Sequence, residues 1–226
     1  MSIEYLIGKP HLLQNFGEKP FNLKVIKFLN DLSNDLKSLK VTKDYPDIAT
    51  LSFFLRKNNL INMKNNFYNE KENRVGSGLL FHITPSNIPT NFAYSLFFGL
   101  ITGNANIVKV PSKNHPQISL ICRSITKVLK KNKKLKNRIC ILRYNKNDDM
   151  TSKLSSICDL RLIWGGNKTI NEIRKFQIKE RSQDILFADR YSFCIIDNNK
   201  FNELNLKEVK NFVKKFYIDT FLVDQN

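Results

Sequence analysis

Three short stretches gather residue types that could do chemistry: FHITPSNIP (residues 81–89), IVKVPSK (107–113) and LIWGGNKTI (162–170). In the first, two prolines flank Ser86-Asn87 and stiffen the turn, which holds the Asn87 amide in a fixed direction. A rigid amide donor suits an oxygen that gains negative charge during a reaction. The same asparagine, standing ahead of Ile88-Pro89, equally suits the N-cap of a helix. In the second stretch, Lys109 sits inside a β-branched run just before Pro111-Ser112. A lysine in a buried strand is costly unless its ammonium reaches water or a partner. Either that strand is an edge, or the ammonium leaves the strand end toward something anionic. In the third, Gly165-Gly166 follow an apolar run and precede a helical pattern. Small residues there let a phosphate approach the N–H groups at the helix start. A glycine pair alone is a weak signal, and neither GxGxxG nor GxxxxGK[ST] occurs in the chain.

Chemistry of this kind needs a scaffold that brings the three stretches together. Val25, Ile26, Leu29, Leu32, Leu36 and Leu39 recur at helical spacing within residues 21–39. Pro46-Asp47 opens a second helix with Ile48, Leu51, Phe54 and Leu55 inward. No strand signal precedes residue 78, so residues 1–74 read as a helical region. Beyond it the pattern alternates. The spacing predicts strands at 79–83, 105–110, 139–142, 160–164 and 193–196, and helices at 88–102, 116–131, 150–157, 167–176 and 206–216. The strands are near-continuous apolar runs, as in a parallel sheet covered on both faces. The expected fold is α/β: a doubly wound parallel sheet over residues 75–226, behind the helical N-terminal region. Right-handed crossovers bring the carboxyl ends of such strands to one edge, where ligands bind. Lys109 lies at one of these ends, which favours a ligand contact over an edge strand.

The 226-residue chain is 42% hydrophobic and 25% charged, ordinary for a globular protein. Its most apolar stretch, residues 92–103, is too short for a bilayer and is interrupted by Tyr94 and Ser95, so no membrane span is expected. With no secretory signal pattern at the N terminus, a cytoplasmic protein is the default. Cys122, Cys140, Cys158 and Cys194 form no CxxC pair and read as buried structural thiols. His11, His82 and His115 fit no ligand spacing, and no metal is expected. The net charge of +17 invites a nucleic-acid reading. The densest basic run, KVLKKNKKLKNR (127–138), has no interleaved aromatics for base stacking and also reads as the solvated end of a helix. A basic nucleic-acid-binding protein therefore stands as a rival, and no specific nucleic acid is expected.

Taken together, TPSNIP, GNANIVKVPS and WGGNK resemble, in order and spacing, the aldehyde dehydrogenase superfamily. TPSNIP is similar to its proline-asparagine turn, the second stretch to its strand with a cofactor-binding lysine, and the third to its glycine turn before the pyrophosphate helix. Within that superfamily, FHITPSNIP, GNANIVKVPSK, IWGGNKTI, FADRYSF and the terminal VDQN most resemble the long-chain acyl-CoA reductases, the fatty-acid reductase component of bacterial luminescence systems. The resemblance covers roughly residues 75–226. It implies NADPH-dependent reduction of a long-chain acyl-CoA, or another acyl thioester, to a fatty aldehyde through a cysteine thiolate. It places Asn87 as oxyanion donor. It places Thr84, Lys109, Ser112, Lys113, Gly165, Gly166 and Asn167 at the cofactor, with Lys109 on the adenosine ribose. Many relatives that use NAD carry a glutamate at the position of Lys113. A cation there would attract a 2′-phosphate, so NADP is expected over NAD.

Two departures from the family pattern matter. The water-activating glutamate of hydrolytic relatives has no counterpart in Phe187-Ala188-Asp189-Arg190, which fits a reductase that releases aldehyde. Asp184, Asp189 and Arg190 read as structural charges. The family's nucleophilic cysteine follows its VDQN-like segment, and none of the four cysteines here stands in its place. The chain is thus expected to be a cofactor-binding half, residues 75–226, without the catalytic domain. The alternative is a non-catalytic subunit or inactive fragment that pairs with a separate catalytic half. An acyl-enzyme or acyl-activating protein partner, and homo-oligomers of a full-length form, are further expectations of the resemblance.

Overall fold

The computed structural model describes residues 3–14, 16–40, 44–189 and 193–221. Arg190 and the VDQN segment lie outside them. Contacts divide the chain into two compact units, residues 1–188 and 189–226. The first unit is built on a six-stranded sheet: β1 (Glu4–Ile7), β2 (Leu79–Ile83), β3 (Ala105–Lys109), β4 (Ile139–Arg143), β5 (Leu160–Trp164) and β6 (Gln183–Phe187), in the order β1-β4-β3-β2-β5-β6. β1 runs antiparallel to β4, and the other pairs are parallel.

The helices of this unit are α1 (Leu23–Ser38), α2 (Pro46–Phe54), α3 (Lys57–Phe67), α4 (Asn91–Ile101), α5 (Pro116–Lys131), α6 (Asp148–Ile157) and α7 (Asn167–Arg174). Side chains alternate across the pleat, which sorts the core into two layers. Val108, Ile139 and Ile141 face a cluster built from α1 to α5. Phe81, Ile83, Ile107, Cys140, Leu142 and Ile163 face α6 and α7 through Leu154 and Ile170. Strands buried on both faces are the reason β2 to β5 read as continuous apolar runs. Helix α1 earns its place through a heptad-like stripe, Val25, Ile26, Leu29, Leu32 and Leu36, all buried, and its N-cap Asn22 accepts a hydrogen bond from the Lys24 N–H.

Polar groups break the apolar layer under α4 in one place. His82 and Asn106, both fully buried, face the helix from β2 and β3. The Asn106 Nδ2 donates to the Asn104 carbonyl (2.8 Å), which turns Oδ1 toward His82. His82 Nε2–H then donates to Asn106 Oδ1 (2.9 Å), and its Nδ1 accepts from the Ser95 hydroxyl (2.8 Å). Ser95 Oγ accepts in turn from Trp164 Nε1–H (3.3 Å). α4 can lie close enough for this because Gly99 has no side chain. A Cβ there would sit 1.8 Å from Asn106 Oδ1 and 3.2 Å from His82 Cε1. The other buried charges are each paired with an acid. Arg161 holds Asp184 with two parallel bonds (2.8 and 2.9 Å) and also reaches Ser155 and the Phe176 carbonyl. Arg138 donates to the Gly103 and Phe16 carbonyls beside Glu18.

Several sequence expectations need correction. β1 and β6 were not expected, because neither buries a continuous apolar run: each is an edge strand with most of its residues at least partly exposed. The expected strand at 193–196 is not formed, and Phe193, Ile195 and Ile196 are exposed. Cys194 is exposed with them, so only Cys122, Cys140 and Cys158 are the buried thiols expected of all four. Helix α3 was missed because asparagine-rich KNNLINMKNNF buries only Leu60. The second unit contains α8 (Asn198–Asn202), capped by Asp197, and α9 (Leu206–Phe221), with Phe201 packed edge-on to Phe212. Among the described residues no helix is long and apolar enough to cross a membrane.

Two stability predictions rest on the layer beneath α4. Gly99→Ala forces the helix off the sheet and should destabilise the protein by about 1–3 kcal/mol, read by chemical denaturation. Burial pulls His82 down to about 4 from its ordinary 6.5, opposed in part by the bond to Asn106. The folded state thus prefers neutral His82, so its contribution is complete above pH 6.5 and is lost as pH falls toward 4. Melts across that window should show a loss approaching roughly 3 kcal/mol that His82→Gln lacks.

Candidate functional site

Strand order alone gathers the three candidate stretches. β3 and β4 lie on one side of β2, β5 and β6 on the other, so the direction of winding reverses between β2 and β5. Loops leaving the carboxyl ends of the two strands diverge there, and the crevice between them is where doubly wound sheets bind ligands. Residues 84–90 leave β2, residues 110–115 leave β3, and Gly165-Gly166 leave β5, all on one edge.

Lys109 ends β3, an interior strand between β2 and β4, which excludes the edge-strand alternative. Its register partners Ile83 and Leu142 belong to the layer facing α6 and α7, so Lys109 shares the face on which α7 starts. The ammonium stands 5.0 Å above the centre of the Tyr144 ring. Burial lowers its pKa below the ordinary lysine value. Among the described residues no carboxylate lies within ion-pair distance of it. Tyr144 is itself fixed: its hydroxyl meets Thr151 Oγ1 (3.1 Å), and its phenol is pushed up to about 12 by burial.

The other candidates fall around this lysine. Thr84 is buried, and both its N–H (3.3 Å) and its hydroxyl (2.8 Å) donate to the Lys109 carbonyl. It therefore ties the ends of β2 and β3 together. The Ser112 hydroxyl donates to the Tyr144 carbonyl (3.1 Å). Lys113 is exposed. It contributes, after burial and together with Arg143, to lowering the pKa of His115 at the start of α5. Arg143 donates to Glu4 (2.9 Å) and to the Pro111 carbonyl (3.2 Å). Asn87 is exposed in the turn after β2. α4 begins four residues later with Thr90 at its N-cap, so the capping alternative for Asn87 falls.

At the end of β5 the Gly165 N–H donates to the Phe187 carbonyl (3.2 Å). Gly166 is the N-cap of α7 and Asn167 its first residue. A glycine cap brings no side-chain oxygen to the helix N–H groups, and no acid stands in the first turn. At φ −65° Gly166 adopts a backbone open to any residue, so what glycine adds here is room. A Cβ on Gly165 would press on Thr169 at 3.2 Å. β3 and β5 flank β2, which puts the Lys109 and glycine-turn strand ends about 10 Å apart.

Sequence reasoning did not single out Tyr144, His115, Arg143 or Trp164. Arg143 ends an apolar strand and Tyr144 immediately follows it, a position that could have drawn attention. The basic run at 127–138 is less available than its composition suggests: Lys127 pairs with Asp35, and Arg138 is buried. Cys122, Cys140 and Cys158 are held protonated by burial, with pKa values pushed up to about 12, 12 and 11.

No curated protein sequence matches the chain. Solved structures do. Proline utilization A from Bradyrhizobium japonicum aligns with 75% of this chain at 14% identity and a TM-score of 0.56. NADP-dependent glyceraldehyde-3-phosphate dehydrogenase from Bacillus halodurans, complexed with NADP, aligns with 74% at 16% identity and 0.52. Lactaldehyde dehydrogenase from Escherichia coli aligns with 73% at 12% identity and 0.50. The chain spans 20%, 40% and 39% of those three proteins. At such identities the likeness establishes the fold, an aldehyde-dehydrogenase-type α/β sheet. A family model described as acyl-CoA reductase (LuxC) matches residues 52–226, most of the chain, and the protein belongs to that family.

Proposed function

We propose that this chain holds the nicotinamide cofactor of an enzyme that reduces a long-chain acyl thioester to a fatty aldehyde with NADPH. The observation that carries the reading is the union, on one face of one sheet edge, of a half-buried ammonium with no carboxylate partner among the described residues and a glycine-capped helix start. The donor set fits a dinucleotide. The N–H groups at Gly166 and Asn167 suit the pyrophosphate. About 10 Å away, Lys109 suits the adenosine ribose, with Ser112 beside it. Thr84 acts on this site by holding the Lys109 carbonyl in place. When bound, the cofactor would supply a hydride. Asn87, on the exposed turn between the two strand ends, would donate its amide to the thioester oxygen as negative charge develops there.

Preference for NADP over NAD rests on local charge. Lys109 ends β3 and Lys113 lies exposed four residues later, and cations there suit a 2′-phosphate. The acyl donor is an acyl-CoA or an acyl group on a partner enzyme. The three buried cysteines lack the thiolate character that acyl transfer requires. Catalysis thus calls for a thiol other than these three.

Calorimetric titration tests the cofactor claim. NADPH should bind roughly tenfold more tightly than NADH, and Lys113→Glu should abolish the difference. Equal affinities in the unaltered protein would remove the NADP assignment. Lys109→Ala should weaken NADPH binding roughly 10- to 100-fold while leaving any nucleic-acid affinity intact. Incubated with acyl-CoA and NADPH, the 226-residue chain should release no aldehyde. Aldehyde formation that disappears in Cys194→Ser would make Cys194 the nucleophile and overturn this expectation.

A further inference from the structure

Trp164 is the single tryptophan of the chain. It closes β5, and its backbone runs directly into Gly165-Gly166. The indole is only half-buried, yet it is fixed from two sides. Its ring stacks on Phe187 of β6 at 3.7 Å with the planes 4° apart. Its Nε1–H donates to Ser95 of α4 at 3.3 Å. Ser95 cannot drift, because its own hydroxyl is held by His82, and His82 is held by Asn106. Each link in this series is a donor passing to a more deeply held acceptor, so the N–H side of the indole is held by groups at most 2% exposed. The Phe187 that carries the ring also accepts the Gly165 N–H (3.2 Å) through its carbonyl. Side chain and backbone of the same two residues therefore determine together how the glycine turn leaves the sheet. A hydrophobic residue at this place would satisfy packing alone. The indole adds a directional tether to the helix that crosses the other face of the crevice.

We propose that Trp164 is a positioning residue for the dinucleotide site: clamped between Phe187 and Ser95, it sets the angle at which Gly165-Gly166 and the start of α7 meet the pyrophosphate. The inference rests on the cofactor reading above. A site of this kind loses affinity when its supporting residues loosen by fractions of an ångström.

The test compares the full chain with Trp164→Phe and Ser95→Ala by NADPH calorimetry, thermal melting and tryptophan emission. Trp164→Phe keeps an aromatic ring for the stack and removes the N–H tether together with part of the ring surface. Its NADPH dissociation constant should rise roughly five- to tenfold while the melting temperature stays within a few degrees. In Ser95→Ala the indole remains but loses its acceptor. Its emission should shift to longer wavelength, acrylamide should quench it more strongly, and NADPH affinity should fall similarly. Should Ser95→Ala not fold, Trp164→Phe decides alone. Wild-type affinity in the variants that fold, with or without a lower melting temperature, overturns the positioning role. Unaltered protein that binds no NADPH at millimolar concentration overturns the cofactor reading, and this inference with it.

Discussion

An imidazole in the middle of a sheet covered on both faces persists only if both of its nitrogens find partners, because an unsatisfied polar group there costs several times what a made hydrogen bond contributes. His82 meets that constraint through Ser95 and Asn106, and much of the first unit is arranged to allow it. α4 must approach β2 and β3 closely, which a glycine at residue 99 permits. The Asn106 amide must be turned one way, which the Asn104 carbonyl ensures. With those conditions met, the interface between α4 and the sheet has one low-energy arrangement, and the turn that begins after Ile83 is launched from a fixed base.

The rim above this base divides its work between the two faces of the sheet. Lys109 and the beginning of α7 share one face, while Ser95 and the Trp164 tether occupy the other. Between them lie the ends of β2 and β5, where the winding reverses. Membership of the acyl-CoA reductase (LuxC) family and the dehydrogenase-type fold agree with this geometry without specifying it. The two buried arginines act at a distance from the rim. Arg161 binds Asp184 and so attaches the poorly buried β6 to β5, which keeps Phe187 beside Trp164.

The interior of this fold was legible in the sequence because interior strands are apolar on both sides. β2, β3, β4 and β5 announce themselves as runs, and Lys109 stands out as a cation at the carboxyl end of such a run, as does Arg143 on β4. The edges were not legible. β1 and β6 alternate weakly, and Phe193 to Ile196 form an apolar run that is not a strand. Of the site, the three stretches at 81–89, 107–113 and 162–170 come together as their order suggested, since parallel winding leaves few alternatives. Tyr144 beneath the ammonium, and the partners of His82, were hidden for another reason. Their roles depend on strand register, and a shift of one residue would send each side chain to the opposite face.

The partly buried state of Lys109 has a consequence for whatever it meets. An ammonium on the open surface must shed a tight coat of water before it can touch an anion, and that shedding opposes association. Here the Tyr144 ring and the surrounding strand ends have already displaced part of that coat when the chain folds. An arriving anion thus encounters a cation that is thinly hydrated and aimed in advance, so attraction at contact is stronger and less shielded than the same charge would exert from the tip of an exposed side chain.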